Sequence, residues 1–287
     1  MQSRADTDHR FRMPGSDHES AAGQDLVCKL RSESFILPEE NSGIYALTKN
    51  PRGKTMVTIR RAQERGHSSP GWLDSYHTFS FGSYYAADHM GFSNLRVIND
   101  DTVAPGGGFA THGHEDMEII SYVLEGALEH KDSLGNGSVI RPGDVQRMSA
   151  GTGVTHSEYN HSADEPVHFL QIWLLPNRTG VEPGYEQRSY PLEDRRGKLV
   201  LLVSPDGRDG SIASRQDALL YGTLLEAGQR LKHLLASDRR AYVHVAAGKA
   251  GINGEALGTG DAIAIEGHSE IRLEGINDAQ LLIFDLP

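Results

Sequence analysis

His168-Phe-Leu-Gln-Ile-Trp-Leu-Leu-Pro176 and Ala279-Gln-Leu-Leu-Ile-Phe-Asp-Leu-Pro287 are two versions of one β-rich run, each ending at a proline. Tyr122-Val-Leu-Glu-Gly126 is echoed in the same way by His244-Val-Ala-Ala-Gly248, and Pro142-Gly-Asp-Val145 by Thr259-Gly-Asp-Ala262. Strand–turn patterns often look alike, but three echoes in one order predict two copies of a single β unit. The copies join near 177–197, where Pro183, Gly184, Pro191 and Gly197 interrupt regular structure.

Outward from these echoes the signals remain β. Short β-rich runs at 95–99, 117–124, 167–175, 199–203, 262–265 and 280–284 are separated by Gly, Pro, Asn and Asp clusters. No long segment has helical periodicity, although 217–220 and 229–236 have room for a short turn of helix. Thirty-two glycines suit so many turns. The expected fold is therefore all-β, with two β-barrel domains packed together, the first over 56–180 and the second over 181–287.

Composition bounds the function. With 28 Lys+Arg against 39 Asp+Glu, the formal charge of -11 offers no basic footprint for nucleic acid. Residues 1–55 hold eight acidic and eight basic side chains, so the whole excess belongs to the remaining 232. The first 22 residues lack Val, Ile and Leu, a composition that cannot offset the entropy of ordering. Residues 1–55 are thus expected to be either a disordered leader or a mis-assigned start, because Met56 opens the first strand-like run, Met56-Val57-Thr58-Ile59. No apolar stretch suits a secretory signal or a membrane span, so a cytoplasmic protein is expected; a monomer is the expected state. The single cysteine, Cys28, excludes an internal disulfide and thiolate metal clusters, so any metal must take nitrogen and oxygen ligands.

The chemistry concentrates in the first copy, where eight of the 14 histidines lie between His77 and His168. Two motifs carry it: Gly106-Gly-Gly-Phe-Ala-Thr-His112-Gly-His114-Glu-Asp-Met-Glu118, and Ser149-Ala-Gly-Thr-Gly-Val-Thr-His156-Ser-Glu158-Tyr-Asn160. On a strand, side chains two apart share a face, so His112 projects with His114, and His156 with Glu158. If the two strands are neighbours, three imidazoles and a carboxylate converge. Ile120, Tyr122 and Leu124 are expected to line the rest of the interior. Three nitrogens and one oxygen suit a divalent transition metal and leave room for water, substrate or dioxygen. A lone His-x-His is a common surface pair; joined to His-x-Glu 44 residues later, it is a metal site. His77, His130 and His168 read as satisfied core or surface histidines, and Asp100-Asp101 and Glu115-Asp116 as solvated turns. Gly106-Gly-Gly108 is not a phosphate loop, since no Lys-Ser/Thr follows.

The first motif, with Gly126 after it, resembles the first cupin motif. Pro142-Gly143, Gly151 and His156 with Asn160 resemble the second, with altered spacing. More narrowly, the chain resembles the pirin family, in particular bacterial pirin-like quercetinases. That likeness rests on Arg65-Gly66-His67, Gly71-Trp-Leu-Asp-Ser-Tyr-His-Thr-Phe-Ser-Phe-Gly82, Leu95-Arg-Val-Ile-Asn-Asp-Asp101, Met148-Ser-Ala-Gly-Thr-Gly153 and Tyr185-Glu-Gln-Arg188. It extends from about Met56 to Pro287.

The resemblance implies a bicupin with one metal in the N-terminal domain, held by His112, His114, His156 and Glu158. Glu118 stands where other cupins place a metal ligand and is assigned to the surroundings of the metal. The implied activity is 2,3-dioxygenolytic cleavage of the flavonol quercetin with release of carbon monoxide. Glu158 would act as general base and Glu118 would assist from nearby. Fe(II) is the expected metal, with Zn, Ni, Co, Mn and Cu as alternatives, because affinity order does not fix selection. A pirin-like regulator acting through a protein partner, and a cupin isomerase or hydrolase, are the other readings. In the second copy, Leu234 and Ala236 stand where His112 and His114 would be, so no metal is expected there.

Overall fold

The computed structural model describes residues 55–287. The leader expected over 1–55 lies outside the described residues apart from Thr55.

The first half holds a seven-stranded sheet in the order Gly184–Ser189, Asp144–Ser149, Glu118–Glu125, Val167–Leu174, Leu95–Val103, Leu73–His77, Gly66–Ser68. A four-stranded sheet faces it, in the order Gly108–His114, Val154–Asn160, Leu128–Asp132, Gly137–Ile140. The second half repeats the plan. Its large sheet runs Met56–Arg60, Ala262–Glu266, Arg240–Ala247, Ala279–Leu286, Leu219–Leu225, Val200–Ser204, Ile212–Ala213, and its small one Arg230–Leu234, Glu270–Gly275, Lys249–Ile252, Glu255–Gly258. The repeated runs, now strands Val167–Leu174 and Ala279–Leu286, lie inside their large sheets with a strand paired on each side. Each half is a two-sheet jelly roll with open sheets rather than a closed barrel.

Two edge strands depart from chain order. Met56–Arg60 pairs with Ala262–Glu266, so the first described strand completes the second half's large sheet. Gly184–Ser189, past the end of the first repeat, pairs back onto Asp144–Ser149. Both cover edges that would otherwise expose unpaired backbone groups.

The two large sheets pack through Ile98, Ile120, Tyr122, Val145 and Leu170 on one side and Leu202, Tyr242, Leu282 and Phe284 on the other. Burying each such side chain contributes about 1.5–3 kcal/mol. This corrects the expectation that Ile120, Tyr122 and Leu124 line the first interior. Those positions face the second half, while Ile119, Met148 and Val154, and Val123 with Phe169, pack between the first half's own sheets.

The short helical turns expected at 217–220 and 229–236 do not form: 219–220 belong to strand Leu219–Leu225 and 230–234 are strand Arg230–Leu234, with irregular backbone beside them. Ladder bonds to Ala279–Leu286 and Glu270–Gly275 win over local preference there. Among the described residues the helical elements are 3-10 turns: Ala62–Glu64, Leu192–Arg195 and Arg208–Gly210. No helix among them is long and apolar enough to cross a membrane. Asp100 and Asp101 are not a solvated turn either. They sit inside Leu95–Val103, Asp100 bound by Arg65 (2.8 Å) and His168 (2.6 Å), and Asp101 buried with Ser75 donating to it.

Candidate metal centre

Gly108–His114 and Val154–Asn160 are hydrogen-bonded neighbours, with His112 opposite His156 and His114 opposite Val154. The two-residue period turns His112, His114, His156 and Glu158 inward. Gly108 makes the approach possible, since a Cβ there would lie 2.4 Å from the Tyr159 ring. A register shift between His156 and Glu158 adjusts the carboxylate relative to the facing strand.

The three imidazoles converge: ring centroids are 4.4 Å apart for His112 and His156, 4.8 Å for His112 and His114, and 4.9 Å for His114 and His156. One nitrogen from each lies within 4.8 Å of the others. Nδ1 of His112 donates to the Ala110 carbonyl (2.8 Å), which leaves Nε2 as the lone-pair nitrogen. Nε2 of His156 is buried and has no hydrogen-bond partner in the protein. Burial, with the neighbouring imidazoles adding to it, pushes the pKa of His114 down to about 3 and that of His156 down to about 2. Both are neutral near pH 7, the form that ligates metal. A partnerless buried nitrogen amid neutral imidazoles and a carboxylate fits a divalent cation.

Glu158 is buried and reaches across to the large sheet. Its Oε1 accepts from Ser121 Oγ (3.0 Å) and its Oε2 from Gln171 Nε2 (2.8 Å), residues that are register partners there. Its carboxylate groups with His156 and with a residue the sequence reading set aside, His130, all within 4.8 Å. His130 is fully buried on Leu128–Asp132, directly opposite Glu158. The signal available was His130-Lys-Asp132, a third pair of polar side chains two apart in the same copy.

Glu118 is not brought to this cluster. It shares its face with Ile120 and Tyr122, toward the second half, and its Oε2 accepts from Ser149 Oγ (3.0 Å) and the Arg215 amide (3.2 Å). Burial raises its pKa, against the opposing Ser149 hydrogen bond. His77 is bound to Asn99 (2.9 Å) and His168 to Asp100, so both are satisfied without a ligand.

Aromatic side chains frame the centre. Trp173 packs edge-on to His114 (5.0 Å) and Phe81 edge-on to Trp173 (5.3 Å), while Phe109 lies 6.5 Å from His112 and is braced by Trp72. These rings give the side of the centre they cover an apolar character.

On the inward face of the large sheet, burial pushes the Asp101 carboxyl up to about 7, opposed by Ser75 and reinforced by the charges of Asp100 and Glu158. An unfolded Asp titrates near 3.9, so between about pH 4 and 7 the folded chain binds the extra proton. That contribution is complete below about pH 4 and is lost as pH rises through 7. Asp101→Asn is expected to flatten the urea midpoint against pH over this window and to raise stability at pH 8, as equilibrium unfolding would measure.

In the second half, the equivalent strands Arg230–Leu234 and Glu270–Gly275 present Leu231, Ile271 and Leu273 to a wholly apolar cluster. His233 pairs with Asp285 (2.8 Å) and Glu270 with Lys232 (3.2 Å).

Comparison with known proteins agrees with this architecture. The family description Pirin matches residues 58–174, and that of the quercetinase C-terminal cupin domain matches residues 201–286. An Escherichia coli K12 protein named quercetin 2,3-dioxygenase is 48% identical over 232 residues, which is 81% of this chain and 99% of that protein. A Caulobacter vibrioides protein named pirin-like protein is 40% identical over 231 residues, 80% of this chain and 99% of its own length. The crystal structure of the bacterial pirin YhhW from Escherichia coli in complex with nickel(II) aligns with TM-score 0.78 and 47% identity, covering 81% of this chain and 99% of that one. With both halves matched and the fold shared along nearly the whole length of these relatives, the chain belongs to the pirin family.

Proposed function

We propose that this chain is a metal-dependent dioxygenase that opens the flavonol quercetin by 2,3-dioxygenolytic cleavage with release of carbon monoxide. The observation that carries the reading is the inward cluster of three imidazoles beside a buried carboxylate, with the partnerless Nε2 of His156 at its heart. The name of the Escherichia coli relative supplies the substrate. Fe(II) is the proposed metal, held by His112, His114, His156 and Glu158, and the nickel(II) complex of YhhW supports a divalent ion.

The metal would supply Lewis acidity to a chelating hydroxyl and carbonyl. The protein's own part falls first to Glu158, which Ser121 and Gln171 orient. Each carboxylate oxygen keeps a lone pair after accepting its hydrogen bond, so Glu158 can take the proton of the flavonol 3-hydroxyl. Trp173 and Phe109 would hold the flat rings and exclude water. The buried imidazoles stay neutral and do not compete for that proton.

The test is turnover of quercetin by metal-reconstituted protein with and without dioxygen. Loss of the quercetin absorbance only under air, with carbon monoxide released and a fall of about 100-fold or more in Glu158→Gln, is the expected result. Equal turnover by thoroughly metal-stripped protein would overturn the mechanism.

A further inference from the structure

We propose that His130, anchored by Asp132, is a positioning residue that fixes the tautomer and ring plane of His156 and so sets the metal affinity of the centre. This rests on the reading of His112, His114, His156 and Glu158 as ligands.

Asp132 anchors the arrangement. Its Oδ1 accepts from the amides of Leu134 and Asn136, and its Oδ2 from the Asn136 side chain (2.9 Å), so the carboxylate is fixed by its own turn. These bonds hold it ionised despite burial, which opposes ionisation. Nε2 of His130 lies 3.3 Å from Asp132 Oδ2, with both side chains buried. An ionised carboxylate only accepts, so His130 must carry its proton on Nε2. With its proton on Nε2, His130 turns its other ring nitrogen, Nδ1, toward His156, 3.4 Å from Nδ1 there. One of two facing nitrogens must donate, and only His156 is left to do so. The proton of His156 therefore sits on Nδ1, and its lone pair on Nε2, the buried partnerless nitrogen beside His112 and His114. One carboxylate thus dictates two tautomers in series.

The ring of His130 is held as firmly as its protons. Tyr185 stacks on it at 5.1 Å and 29°, and the Tyr185 hydroxyl is bound to Ser138 and Gln187. Tyr185 comes from Gly184–Ser189, the strand that returns to the first half after its repeat has ended. With its Nδ1 engaged by His156, His130 has no lone pair to spare, so the grouping of His130, His156 and Glu158 is not a second metal site. Partners that orient a ligating histidine commonly affect metal affinity by 10–100-fold. In free histidine the Nε2–H tautomer is the more populated, so without His130 the proton would favour the ligating nitrogen.

Full-length protein with His130→Leu and His130→Asn provides the test, since leucine removes the acceptor while asparagine returns one near the position of Nδ1. Two readouts apply: the His156 tautomer in metal-free protein by two-bond proton–nitrogen NMR, and zinc affinity by chelator competition. The expected result is Nδ1–H on His156 in wild type and His130→Asn, loss of that preference in His130→Leu, and zinc binding weakened about 10–100-fold in His130→Leu but largely restored in His130→Asn. Wild-type zinc affinity in His130→Leu, or equal losses in both variants, would overturn the proposal by leaving only packing. Undiminished zinc binding by His112→Ala would instead overturn the ligand assignment on which it stands.

Discussion

His156→Ala is expected to abolish metal binding and quercetin turnover together while leaving the protein folded. His156 touches every part of the centre: His112 and His114 on one side, His130 on the other, and Glu158 within ligand reach. Losing a ligand outright should exceed the 10–100-fold typical for an orienting partner. The fold has little reason to fail, because burial and its neighbours disfavour charge on this ring and its Nε2 satisfies nothing in the protein. The clearest check is thermal unfolding with and without metal. At about 1,000 times the dissociation constant, a bound ion adds about 4 kcal/mol to stability. Wild type should show the corresponding rise in Tm and the variant none, with metal analysis giving one ion per chain against zero. A metal-dependent rise of the same size in His156→Ala would remove this residue from the ligand set.

Gly248→Ala should be the most damaging of the single-methyl additions in the second half. Gly248 has φ +79°, and a Cβ there would lie 1.8 Å from the Asp278 carbonyl oxygen and 2.8 Å from Ala279 Cα. Both are backbone atoms of the turn leading into Ala279–Leu286, so no side chain can swing away. The left-handed conformation costs an alanine about 1–2 kcal/mol and overpacking about 1–3 more. Together these consume a large part of a typical folding margin of about 5–15 kcal/mol. Gly228→Ala separates the two contributions, because Gly228 has φ +80° with nothing within 4 Å of its Cβ position. Urea unfolding should place Gly228→Ala near the conformational cost alone and Gly248→Ala well beyond it. Gly126, the matching position in the first half, has φ +75° and would meet the Pro166 carbonyl at 2.5 Å. The repeated glycine in Tyr122–Gly126 and His244–Gly248 is therefore one turn built twice, for one steric reason.

The gathering of His112, His114 and His156, with Glu158 beside His156, was legible because its members are close in sequence and share strand parity. His112 with His114, and His156 with Glu158, needed only the two-residue period to point inward. His130 was not legible in the same way. Its importance depends on Leu128–Asp132 lying beside Val154–Asn160, which puts His130 opposite Glu158 and Asp132 opposite His156. Nothing local to His130-Lys-Asp132 states that neighbour. Glu118 is the opposite case, since its place in the cupin-like motif implied proximity, while its strand turns it toward Ser149 and Arg215.

By itself the sequence determined the β class, the duplication, its repeated turns and the nitrogen-and-oxygen character of the centre. These follow from short-range chemistry: strand periodicity, glycine where φ is positive, and a chain without cysteine after Cys28. Only the tertiary structure decided which face of each strand is the interior. Glu118–Glu125 is buried on both faces over its first six residues, one against its own small sheet and one against the second half. Alternation then no longer separates inside from outside, and Ile120, Tyr122 and Glu118 fall on the face that the second copy covers. The return of Gly184–Ser189 to the edge of the first half likewise fixed part of what surrounds the centre, because it lays Tyr185 on His130, a pairing that no local pattern connects.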